Sequence, residues 1–128
     1  MLSKMQSLAS LTLDFEGCSL ISQDTMNYLL DAICALQKLS SLSMYFKGCV
    51  GISDASIERL VKLIATLDAL KHVIANFDNC NRVTGAGMKH LKGFIESLNQ
   101  IAYDEVMLNF SNSVIKTQRI IFGNRVPV

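Results

Sequence analysis

The sequence has no tryptophan, a single proline, no Gly/Ser-rich stretch and no run of like charge. The absence of such segments leaves no candidate linker, and 128 residues fit one domain with a continuous core. No apolar stretch approaches the roughly 20 residues that span a bilayer. The opening MLSKMQSLAS has no compact apolar segment and no small-residue cleavage pattern after it, which argues against a secretory signal. A formal net charge of +1 supplies no field for nucleic acid or for an anionic membrane. Close Cys/His pairs such as C-x2-C are missing too, so no zinc signature is present. Four cysteines without a secretory signal read as reduced thiols in an intracellular, cytoplasmic domain.

Catalytic patterns are equally scarce. His72 and His90, the only histidines, have no cysteine or paired carboxylate arranged for catalysis. The acidic residues are scattered singly, apart from Asp104–Glu105, and offer no general acid and base. The glycines of GAG at 85–87 lack the following Lys of a phosphate loop. The expectation is no catalytic site, no cofactor and no metal.

What the sequence does contain is repetition. Half of its residues are apolar and 18% are charged, the balance of a globular chain. Cys18, Cys49 and Cys80 follow one another at 31 residues. Phe15, Phe46 and Phe77 precede them by three, and Ile21, Ile52 and Val83 follow by three. Upstream, Leu8, Leu11 and Leu13 match Leu39, Leu42 and Met44, then Leu70, Val73 and Ala75. Downstream, Met26, Leu29, Ile33 and Leu36 match Ile57, Leu60, Ile64 and Leu67, then Met88, Leu91, Ile95 and Leu98. A fourth copy starts after a two-residue insertion, with Val106, Leu108 and Phe110, and with Ser113 in place of the cysteine.

Each copy changes period part-way. LSSLSMYF alternates apolar and polar, as a strand with one buried face does. SDASIERLVKLIATL places Ile57, Leu60, Val61, Ile64 and Leu67 at steps of three and four, the stripe of a helix. Ser22, Ser53 and Thr84 stand where helix N-caps are wanted, and helices are expected at about 23–36, 54–68 and 85–98. Gly17, Gly48, Asn79 and Asn112 precede the cysteine positions, and these residue types accept the left-handed backbone of a sharp turn. Strand, turn and helix repeated in one direction predict a parallel sheet backed by helices. The cysteines are expected to fill the corner structurally, offering their S–H to a loop carbonyl. Parallel strands about 4.8 Å apart put such cysteines within disulfide reach, but stacked Cβ vectors would point the same way.

The segments LASLTLDFEGCSLIS, LSSLSMYFKGCVGIS and LKHVIANFDNCNRVT resemble the leucine-rich repeat family, and most closely its cysteine-containing versions. The period of 31 exceeds the family's usual range of about 20–29, so curvature does not carry over. The resemblance implies an α/β solenoid of about three and a half repeats, with a parallel β-sheet on the concave side and α-helices on the convex side. Its units are a partial repeat at 1–7, repeats at 8–38, 39–69 and 70–102, and a partial repeat at 103–113. It implies a non-catalytic scaffold or structural subunit that binds protein partners through outward strand residues. By position these include Asp14, Tyr45, Lys47, Ile74, Asn76, Asp78, Met107 and Asn109, with Tyr45 the foremost anchor. The column Asp14, Tyr45, Asn76 and Asn109 would form a hydrogen-bonding stripe. An alternative implied by the resemblance is a substrate-recognition module of an F-box ubiquitin ligase, although no separate F-box segment is visible.

The ends carry two more expectations. Leu2, Met5 and Leu8 align with Ile33, Leu36 and Leu39, so the first strand has an open edge that another chain or further repeats would cover. The tail at 114–128 has strand character at Arg119–Phe122 and a turn at Gly123–Asn124. It either caps the last repeat or extends to grip a partner.

Overall fold

The computed structural model describes residues 7–18, 20–96, 103–111 and 118–122, with backbone alone at 90, 94, 95, 118–120 and 122. Expectations for Leu2, Met5, Leu98, Asn112, Ser113 and Gly123–Asn124, and for the side chains of His90 and Ile95, lie outside the described residues.

The elements are β1 (Ser10–Asp14), α1 (Gln23–Cys34), β2 (Ser41–Tyr45), α2 (Asp54–Thr66), β3 (His72–Asn76), α3 (Gly85–Glu96), β4 (Glu105–Phe110) and β5 (Gln118–Phe122). They form an α/β structure whose single sheet has the order β1-β2-β3-β4-β5. The first four strands are parallel, as helical crossovers require, and β5 pairs antiparallel with β4. No helix among the described residues is long and apolar enough to cross a membrane.

Strand register reproduces the sequence alignment. Ser10, Ser41, His72 and Glu105 lie side by side, so the two extra residues before the fourth copy are absorbed ahead of β4. Inward rows therefore meet like with like: Leu42, Val73 and Val106 in one, and Met44, Ala75 and Leu108 in the next, all fully buried. Phe15, Phe46, Phe77 and Phe110 stack at centroid distances of 5.7, 5.6 and 5.3 Å. These spacings lie in the favourable range for offset aromatic pairs. The helices close this core with Met26, Leu30 and Ile33 from α1, Ile57, Leu60 and Ile64 from α2, and Met88 and Leu91 from α3.

α1 and α2 end two residues before the periodicity suggests. The reason is that Leu36 and Leu67 stay buried although their backbone has already turned. The sharp turns fall at Gly17, Gly48 and Asn79, with φ of 72°, 77° and 62°. The next residue supplies the corner. Cys49 Sγ donates to the Phe15 carbonyl at 3.0 Å, and Cys80 Sγ to the Phe46 carbonyl at 3.1 Å. All four cysteines are free thiols. Cys34 is half-buried against the core.

Capping departs from the simple pattern. Ser22 Oγ accepts from the Thr25 N–H at 3.2 Å, as an N-cap does. The Ser53 and Thr84 hydroxyls also reach back to the preceding helix, donating to Gln23 Oε1 at 3.1 Å and to Asp54 Oδ2 at 2.6 Å. Asp54 Oδ1 also accepts the Thr84 N–H at 2.8 Å. These side chains join neighbouring units, and Ser53 also caps its own helix in a capping box with Ser56, whose Oγ accepts the Ser53 N–H at 3.3 Å.

Candidate interaction face

A strand with one buried face turns every second residue away from the helices. Three rows of such residues cross the outer face of the sheet: Ser10, Ser41, His72 and Glu105 form a polar one, and the other two carry the residues expected to bind. The first of these two holds Thr12, Ser43, Ile74, Met107 and Ile121. The second holds Asp14, Tyr45, Asn76, Asn109 and, by backbone register, Arg119. Lys47 and Asp78 lie in the turns beyond, where the Gly48 N–H donates to the Asp78 carbonyl at 2.8 Å. Register thus places Ile74 beside Met107, and Tyr45, Asn76 and Asn109 in one line, while Asp14 and Lys47 are exposed towards the rim.

The second row's polar residues have local work. Asp14 Oδ1 accepts the Glu16 N–H at 3.0 Å, and Asn76 Oδ1 accepts the Asp78 N–H at 2.9 Å. Such side-chain turns end a strand by mimicking a backbone turn. Asp14 Oδ1 and Asn76 Oδ1 therefore each accept one bond within the fold. Tyr45 breaks the column: it cannot make this turn, and its hydroxyl has no partner among the described residues.

The first row changes character along its length. Thr12 and Ser43 are polar, whereas Ile74, Met107 and Ile121 are apolar. Ile121 retains 38% of its surface exposed. Together with Tyr45, diagonal to Ile74, these residues make a contiguous apolar patch on an otherwise polar face. Ile121 did not emerge from the repeat pattern, because β5 pairs antiparallel and its register is not a multiple of the period. The β-branched, aromatic run at Arg119–Phe122 was the only signal for it.

Other constellations are smaller. His72 Nε2 lies 3.3 Å from Asp104 Oδ2 at the start of β3, a pairing the sequence spacing did not suggest. Tyr103, also not anticipated, takes the place of Leu70 in the fourth copy and donates to the Ile64 carbonyl at 3.3 Å. A groove of about 270 Å³ between α2 and α3 is lined by Asp54, Glu58, Val61, Lys62, Ala86 and Leu91. Burial pushes the Cys49 thiol up and the Cys80 thiol up to about 12, so both are protonated at neutral pH. No group of three His, Cys, Asp or Glu among the described residues is placed to hold a metal ion.

Compared with known proteins, the chain matches no family model, no curated protein and no solved structure at a significant level.

Proposed function

We propose that this chain is a non-catalytic protein-interaction module, built as a short leucine-rich-repeat array, that binds a partner protein through the outer face of its sheet. The observation that carries it is the apolar patch of Ile74, Met107 and Ile121 with Tyr45 beside it. Nothing in the sheet's own packing calls for apolar residues there, since Thr12 and Ser43 serve the same row in the first two units. An apolar cluster rimmed by polar groups, with an aromatic residue at its border, has the make-up of a binding hot spot. The engaged Asp14 and Asn76 fix the rim, and Tyr45 supplies a hydroxyl that has no partner among the described residues.

The test uses the full chain as bait against a whole-cell extract, with co-purifying proteins quantified by mass spectrometry. The double substitution Ile74→Ser and Met107→Thr copies the residue types of the first two units, so the fold is retained. At least one partner captured by the parent is expected to fall by about tenfold, the effect of losing about 1.4 kcal/mol of binding. A control on the helical face, Arg59→Ala with Lys62→Ala, is expected to keep it. Equal capture by parent and outer-face variant rules the patch out.

A further inference from the structure

Three interfaces between successive units repeat one set of bonds. The N–H groups of Ser40 and Ser41 converge on the Ala9 carbonyl, those of Lys71 and His72 on Ser40, and those of Asp104 and Glu105 on Lys71. At the other end of each strand, Phe15, Phe46 and Phe77 donate to the carbonyls of Tyr45, Asn76 and Asn109, at 2.8 Å each. Gly17, Gly48 and Asn79 donate likewise to Lys47, Asp78 and Ser111. The rings stack at all three, and at the first two the cysteine of the later unit bonds back to the Phe carbonyl of the earlier one.

Shifting this set by one unit brings it to the open side of β1. There the N–H groups of Ala9 and Ser10, the carbonyls of Asp14 and Glu16, and the Cys18 thiol take the equivalent positions. None of the described residues answers them. Burial tells the same story: Leu11, Leu13, Phe15 and Cys18 are only partly buried, whereas their counterparts Leu42, Met44, Phe46 and Cys49 are fully buried.

These unmet groups specify their complement. It must run parallel to β1, offer two N–H donors two residues apart, and carry an aromatic residue whose carbonyl accepts a thiol hydrogen. We propose that the open side of β1 is a docking surface for a further strand–turn–helix unit of the same 31-residue design. Its aromatic ring stacks on Phe15, and that residue's carbonyl takes the Cys18 thiol. The surface is continuous with the interfaces between units within the chain, and it is distinct from the outer-face patch. A second copy does not fit. With the helical layers kept on one side, β5 of a copy would approach antiparallel to β1, and so would a β1 related by a two-fold axis.

The experiment grafts a copy of residues 39–69 directly ahead of Leu8, in place of residues 1–7, which preserves the repeat register. Thiol labelling under native conditions is followed residue by residue by mass spectrometry. In the parent, Cys18 is expected to label faster than Cys49 and Cys80 by at least about tenfold, since reaction requires access. In the graft, Cys18 is expected to slow to the rate of those two. The same graft with Phe46→Ala in the copied unit restores part of the labelling. A second graft, duplicating residues 8–38 ahead of Leu8, repeats the test with a different unit. Cys18 labelling as fast in both grafts as in the parent overturns the proposal. So does a parent whose Cys18 is already shielded: as a dimer by analytical ultracentrifugation, the occupant is a second copy, and as a monomer, the surface is already covered. Ile74→Ser with Met107→Thr leaves Cys18 shielding unchanged, so failure of the outer-face proposal is seen separately.

Discussion

Gly48 and Asn79 occupy the same place in successive units, both with left-handed backbone, so that position demands a conformation and not the absence of a side chain. Gly51 differs: a Cβ there would run into the Ile21 carbonyl of the neighbouring unit, whose backbone cannot swing aside. Gly48→Asn is therefore expected within about 1 kcal/mol of the parent, and Gly48→Ala to cost about 1–2 kcal/mol. Gly51→Ala should cost more, about 2–3 kcal/mol, because it forces two backbones apart. Urea unfolding of the three variants gives the ranking directly, and equal costs at 48 and 51 would contradict it. Cys80 allows a second residue-scale prediction. Its thiol ionises near 9.0 when unfolded and at about 12 when folded, raised chiefly by burial. Between those values the unfolded chain has lost a proton that the folded chain still holds, so stability falls as pH rises. The contribution is complete below about pH 9 and disappears towards about pH 12, and burial at Cys49 and Tyr103 acts in the same direction. The urea midpoint should drop between about pH 8 and about pH 10.5, and less steeply in Cys80→Ser.

Among elements, the junctions between helices depend on polar side chains that a one-dimensional pattern assigns elsewhere. Ser53 and Thr84 carry the residue types of N-caps, and beyond that role their hydroxyls meet Gln23 and Asp54 across the junction. Asp54 comes this close because Gly87 has no Cβ to strike its carboxylate. Asp54→Ala and Thr84→Val should each destabilise by about 1–2 kcal/mol. Their double mutant should fall short of the sum by about 1 kcal/mol, since they share one interaction. Simple additivity in urea unfolding would show the two to be energetically independent. The limits of sequence reading lie at the same level. Alternation at Leu42, Met44 and Phe46 and the stripe at Ile57, Leu60 and Ile64 gave strand and helix, because burial imposes those periods. The step of 31 gave the parallel register, because equal units stack with equal offsets. Partners in a different unit, such as Gln23 for Ser53 or Ile121 for Met107, leave no periodic trace. Three of the four residues of the outer-face patch were legible: Tyr45, Ile74 and Met107. The rest depended on the antiparallel register of β5, which no repeat encodes.

Across the whole molecule, the same contact is not worth the same amount in every unit. Phe46 and Phe77 have a ring on each side and no exposed surface, while Phe15 has one described neighbour and is only partly buried. Truncating a fully buried Phe costs about 3–5 kcal/mol, a large share of the ~5–15 kcal/mol that holds a domain folded. Phe46→Ala and Phe77→Ala should therefore approach global unfolding, and Phe15→Ala should cost less than half as much. Stability in stacked units is a sum of unit terms and nearest-neighbour terms, so a unit with one neighbour opens first. β4 escapes this because β5 covers its far side. Amide exchange should accordingly be fastest in Ser10–Asp14 and slow in Ser41–Tyr45, His72–Asn76 and Glu105–Phe110. Phe15→Ala should accelerate exchange in β1 alone, leaving β3 and β4 at parent rates. If the substitution instead raised exchange uniformly from β1 to β4, the chain would open as one cooperative block, and the gradient of burial across the sheet would carry no gradient of stability.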